Sequence, residues 1–94
     1  MNAVRIEVKL FATLREIFGT KEMEVAVKKG TNIGELVDLV FDTPERRKRV
    51  FDNGKLKPSI IILKNGRHIQ HLDGIETKLR EGDSVAIFPP IAGG

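Results

Sequence analysis

The 94-residue chain contains no cysteine, which excludes disulfides, thiolate metal sites and a cysteine nucleophile. No apolar run approaches the roughly 20 residues that span a bilayer. The segment Met1-Asn2-Ala3-Val4-Arg5 lacks the charged-then-apolar layout of a signal peptide, so a cytoplasmic location with no membrane partner is expected. Neither Gly-x-x-x-x-Gly-Lys-Ser/Thr nor Gly-x-Gly-x-x-Gly occurs, and nothing here looks built to bind ATP or a dinucleotide. His68 and His71 stand without cysteine neighbours and read as surface histidines, so no metal is expected.

What remains is the composition of an ordinary soluble domain. Charged residues make up 31% and hydrophobic residues 40%, far from the disordered and membrane classes. A chain of this length buries somewhat over 60% of its unfolded surface, enough for one modest core, and one domain is expected over 1–94. The net charge of +3 is local in origin. Arg46, Arg47, Lys48, Arg49, Lys55 and Lys57 cluster, with Asp52 alone opposing them inside that run. Phe51 is the only aromatic residue there, so the run reads as a solvated face and no nucleic-acid partner is expected.

Periodicity gives the elements. Val4, Ile6, Val8 and Leu10 alternate with Arg5, Glu7 and Lys9, the pattern of a strand with one face in the core. Phe11, Leu14, Ile17 and Phe18 are spaced for a short helical turn over 11–20 closed by Gly19, and Met23, Val25 and Val27 mark a second half-buried strand. Asn32 and Glu35 stand at capping-box spacing before an apolar stripe of Ile33, Leu36, Val37, Val40 and Phe41. Pro44 ends that helix, and Thr43 with Pro44 can open a second short one over 44–51 before Asn53-Gly54 turns the chain. Ser59-Ile60-Ile61-Ile62-Leu63-Lys64 is an unbroken β-branched run, expected of a central strand covered on both faces or nearly so. After the Asn65-Gly66 turn, residues 67–70 are expected to form a short edge strand and 84–88 the last strand. Asp83, after Gly82, suits turn chemistry better than catalysis. The sum is an α+β fold: a mixed sheet of four to five strands with one main helix packed on one face.

The final residues, Phe88-Pro89-Pro90-Ile91-Ala92-Gly93-Gly94, are where chemistry is expected. Glycine has no Cβ, so Gly93 and Gly94 can lie flat in a channel too narrow for any other residue. Pro89 and Pro90 fix φ and favour an extended path at the base of a flexible tail over 89–94. A carboxylate is a poor electrophile at neutral pH, so a partner must activate it before it can react.

The opening strand with Phe11-Ala12-Thr13-Leu14-Arg15-Glu16-Ile17-Phe18-Gly19, the Gly30-Thr31 helix start, and Gly82-Asp83-Ser84-Val85-Ala86-Ile87-Phe88 running into the Pro89-Pro90-Ile91-Ala92-Gly93-Gly94 tail together resemble the small, sulfur-carrying subunits of molybdopterin synthase. Those proteins belong to the ubiquitin-like β-grasp sulfur carriers. The segment His71-Leu72-Asp73-Gly74-Ile75 also resembles archaeal ubiquitin-like modifiers and a bacterial carrier for cysteine synthesis, and the stretch from Asp42 to Lys57 looks longer than a minimal carrier needs. The resemblance implies that an E1-like adenylating enzyme activates the Gly94 carboxylate with ATP, and that a sulfur donor displaces AMP to leave a thiocarboxylate. That group then enters a molybdopterin synthase large subunit; the alternatives are that Gly94 is joined to lysines of target proteins, as in a modifier, or that the sulfur serves tRNA thiolation, thiamine or cysteine synthesis. No cofactor is bound by the chain itself, and ATP is used by the activating partner. By the same resemblance Gly94 is the reacting residue, while Pro90, Ile91, Ala92 and Gly93 thread the partner's tunnel. A carrier that meets several enzymes needs an apolar docking patch near its tail, and Phe88, Pro90 and Ile91 with Phe11 are the candidates, the alternative being that Phe88 belongs wholly to the core.

Overall fold

The five-stranded sheet grows outward from β7 (Ser84–Phe88), the last strand in sequence, which lies at its centre. The computed structural model describes residues 2–90. β7 pairs in parallel with β1 (Ala3–Leu10) on one side and antiparallel with β5 (Ile61–Lys64) on the other. Outside these lie β2 (Glu22–Lys28), antiparallel to β1, and the short edge strand β6 (Arg67–His68), antiparallel to β5. The order is β2-β1-β7-β5-β6, the mixed sheet the sequence predicts.

Alternation along each strand sends one row inward. Ile6, Val8, Leu10, Ile62, Val85 and Ile87 are all fully buried, and α2 (Ile33–Val40) covers them with Ile33, Leu36, Val37 and Val40. The expected capping box starts this helix: the Asn32 side chain accepts from the Glu35 amide at 2.8 Å, and Glu35 accepts from the Asn32 amide at 3.0 Å. Phe41 ends it, fully buried and meeting Phe18 edge-on at a centroid separation of 5.1 Å.

Several expectations need adjustment. The helix in the 11–20 segment, α1, spans only Thr13–Phe18, which leaves Phe11 outside it. The second short helix forms as α3 (Pro44–Val50), capped by Thr43 and followed by a two-stranded hairpin of β3 (Phe51–Asp52) and β4 (Lys55–Leu56). Asn53 and Gly54, with φ of 54° and 78°, make its turn, the left-handed pair that tight hairpins favour. The edge strand expected over 67–70 stops at His68, because Ile69–His71 is a 3-10 turn.

The β-branched run is covered on one face only. Ile60 and Ile62 are buried, whereas Ile61 is 42% exposed; an apolar residue on the open face hides the period-two signal that polar residues normally supply. The basic run is not a freely solvated face either. Arg46 pairs with Asp42 at 3.1 Å, Arg47 with Asp38 at 2.6 Å, and Lys48 with Glu45 at 3.2 Å. Arg46 also lies over the Phe18 ring and Arg47 over Phe51. The opposing acids come from just before the run: Asp38 in α2, Asp42 in the connection, and Glu45 at the start of α3. Among the described residues no helix is long and apolar enough to cross a membrane.

Candidate functional site at the base of the tail

Strand register fixes the base of the tail. Leu10 and Ile87 are register partners in the parallel β1–β7 pair and both are buried. The residues that follow them, Phe11 and Phe88, therefore point to the opposite, open face. Their rings stack there with centroids 4.1 Å apart and planes 12° from parallel. Both are half-buried, so the pair stays partly exposed. Ile61, the register partner of Phe88 on β5, extends the patch across a third strand. Pro89 follows half-buried and Pro90 is exposed. Ile91, Ala92, Gly93 and Gly94 lie outside the described residues.

α1 holds this patch from the side. The Arg15 Nε donates to the Leu10 carbonyl at 2.8 Å, capping the end of β1, and the guanidinium carbon lies 5.0 Å from the Phe11 ring centroid. A cation over a ring already stacked on its other face restrains that ring from both sides. The turn that makes this possible is strained. Ala12 has φ 52° and ψ −130°, and the Leu14 amide closes on the Phe11 carbonyl at 3.1 Å. A β-carbon is disfavoured in that region of backbone space.

At the other end of β7 a polar cluster fixes where the strand begins. Asn65 and Gly66, with φ of 50° and 82°, turn β5 into β6. The Asn65 side-chain Nδ2 donates to Asp83 Oδ1 at 2.9 Å, while its side-chain oxygen accepts from the Ser84 amide at 2.9 Å. Asp83 Oδ2 accepts from the Arg80 amide at 2.8 Å and lies 3.5 Å from the Lys64 Nζ. Burial pushes the Asp83 carboxyl up, but its hydrogen bonds with Asn65 and Arg80 and the charge of Lys64 outweigh that and hold it below its ordinary value. Asp83 is thus a turn anchor, as its place after Gly82 suggests.

The predicted docking pair is brought together; the two histidines stay apart from it. His68 and His71 face each other edge-on at 6.1 Å, and His68 Nδ1 accepts from the Gln70 amide at 3.1 Å. No group of three His, Asp or Glu side chains suited to a metal ion occurs among the described residues. Sequence reasoning did not single out Arg15 and Ile61. Arg15 stands four residues after Phe11, a spacing that signals contact only if a helix turn joins them, and Ile61 is masked by its apolar neighbours.

On the open face beside this patch, Glu7 and Glu24 are register partners and Glu22 opposes Lys9. This stretch of the β1–β2 ladder therefore carries three glutamates beside Lys9, whose Nζ lies 3.9 Å from Glu7.

Comparison with known proteins places these features in a family. The ThiS family profile matches residues 8–94. The chain is similar to small archaeal modifier protein 3 of Haloferax volcanii, at 38% identity over 92 residues covering 97% of this chain and all of the relative. It is also similar to the molybdopterin synthase sulfur carrier subunit of Escherichia coli K12, at 33% identity over 89 residues covering 95% and 99% of the two chains. The solution structure of small archaeal modifier protein 1 from Methanosarcina acetivorans superposes with a TM-score of 0.82 at 36% identity, covering both chains fully. With a central last strand that runs into a Gly-Gly tail beside a stacked aromatic pair, and with this profile match, the chain belongs to the ThiS family of ubiquitin-like β-grasp sulfur carriers.

Proposed function

We propose that the chain is a sulfur carrier whose Gly94 carboxylate is the reacting group, and that it acts as the small subunit of a molybdopterin synthase. The carboxylate attacks the α-phosphate of ATP on an E1-like enzyme, releasing pyrophosphate and leaving an acyl-adenylate. Sulfide, or a donor that releases sulfur at the sulfide level, then forms a C–S bond as the C–O bond to AMP breaks, giving a thiocarboxylate and AMP. The tail, Pro90, Ile91, Ala92, Gly93 and Gly94, threads the tunnel of a large subunit, where the sulfur passes to a pterin precursor. The chain is a co-substrate in this scheme and binds no cofactor.

The observation that carries this reading is the Phe11–Phe88 stack on the open face at the root of a Gly-Gly tail. An apolar patch there gives two successive enzymes the same handle, and the tail beyond it supplies the substrate. The test is the mass of the C-terminal peptide after incubation with the activating enzyme, ATP and a sulfur donor. Exchange of one oxygen for sulfur at Gly94 is expected. An unchanged mass, with ATP turnover absent, overturns the proposal.

A second reading rests on the likeness to the small archaeal modifier proteins. The same acyl-adenylate can meet a lysine amine instead of sulfide, joining Gly94 to other proteins through an isopeptide bond. Gly-Gly remnants on lysines that vanish on deletion of the gene support this outcome, and their absence removes it. Both fates share the activation step, so the two experiments are read separately.

A further inference from the structure

On the helix side of the sheet, a groove of about 800 Å³ runs between α2, the β3–β4 hairpin and the 3-10 turns after β6. Val37, Ile60 and Ile69 lie beneath it, each no more than 5% exposed. Ile75 stands at its edge, 50% exposed, an unusual position for so large an apolar side chain. The two banks carry opposite charges. On the helix bank Glu35 is engaged in the capping box and Asp38 is held by Arg47 at 2.6 Å. On the hairpin bank Lys55 and Lys57 have no carboxylate within 4.0 Å among the described residues. The unpaired charge beside the apolar floor is therefore mainly basic, with Glu76 the one remaining acid among the lining residues.

We propose that this groove is a non-covalent docking site for an extended aliphatic segment of a partner protein that carries carboxylates at one end. Aliphatic side chains of that segment cover Ile75 and the floor, and its carboxylates meet Lys55 and Lys57. The groove is partly open and is lined by three separate stretches of chain, which suits a strand-like peptide better than an enclosed small molecule. It lies across the sheet from the tail patch. Ile60 faces the groove, while the next residue, Ile61, is the register partner of Phe88 on the open face. A segment bound here leaves the tail free to react, so the carrier can be held by one protein while another processes its end.

The probe is the peptide acetyl-Ile-Val-Ile-Asp-Glu-Glu-amide, followed by amide-proton NMR on the full chain. Saturable shifts are expected at Val37, Lys55, Lys57, Ile69 and Ile75, with none at Phe11 or Phe88. Lys55→Glu combined with Lys57→Glu lowers affinity by about tenfold or more, and salt weakens binding to the unaltered protein. Four results overturn the proposal: no saturable shift at about 1 mM peptide, shifts confined to the open face, equal binding of a control peptide with lysines in place of the acids, or the same shifts arising from protein concentration alone, which makes a second copy the occupant. The titration on the unaltered protein decides the matter even if the double variant does not fold.

Discussion

At the scale of single residues, two positions make opposite predictions for stability. Asp83 is a buried carboxylate whose partners lower its proton affinity in the folded state. Its contribution is therefore fully present above the unfolded carboxylate value of about 3.9 and is lost as pH falls through the lower folded value. Asp83→Asn is expected to cost about 1–3 kcal/mol at neutral pH, with the gap to the parent closing below about pH 4; urea melts of both proteins across that range measure it. Ala12 acts the other way. Its φ of 52° with ψ −130° stores about 1–3 kcal/mol in a non-glycine residue, against roughly 1 kcal/mol of extra chain entropy that glycine loses on folding. Ala12→Gly is expected to raise stability by about 1 kcal/mol in the same melts, and a loss there contradicts the strain. The role of Asp83 was legible because aspartate after glycine is a turn signal. The strain at Ala12 was not, since alanine inside Phe-Ala-Thr-Leu-Arg reads as an ordinary helix start.

Elements show where periodicity succeeds and where it fails. β1 and α2 were legible because polar residues punctuate their apolar faces, and the capping box at Asn32 and Glu35 was visible from spacing alone. β5 misled because Ile61 sits on the open face among isoleucines that face inward. Ile62→Ala is expected to cost about 2–5 kcal/mol, as for a fully buried core residue. Ile61→Ala should cost under about 1 kcal/mol by the same measurement, and equal losses contradict the single-faced packing of the strand. The basic run misled for a different reason. Its partners, Asp38 and Asp42, belong to the preceding helix and its connection to α3, so counting charges within the run overstated its freedom. The aromatic pair at the tail could be nominated from sequence but not joined, because Phe11 and Phe88 meet only once the parallel register of β1 and β7 is known. Substituting serine for Phe88 should weaken association with the activating enzyme more than it destabilises the fold. Pull-down and thermal melts together separate the two effects, and a loss confined to the melt removes the docking role.

At the scale of the whole molecule, the proposed function gives body and tail separate tasks. Among the described residues every buried side-chain nitrogen and oxygen has a hydrogen-bond partner, and the core is built from residues 6–87. A chain ending at Pro90 is therefore expected to melt within about 2 °C of the parent, less than a 1 kcal/mol loss produces in a domain of this size, while acquiring no sulfur. A large fall in melting temperature means instead that residues 91–94 pack on the body. The fold class was legible at this scale because strand and helix patterns followed one another in an order few architectures accept. The groove was not, since its walls come from segments that sequence order keeps apart.

The central place of β7 carries a last consequence for how the protein is made. Both of its neighbours, β1 and β5, leave the ribosome earlier yet bond to each other only through it. Until β7 emerges, the nascent chain holds two half-sheets with open edges, and a prematurely terminated product stays in that condition, exposed to proteolysis. Translation must therefore reach Phe88, six residues from the end of the sequence, before the sheet can close, so a chain cut short before β7 is marked by its open edges.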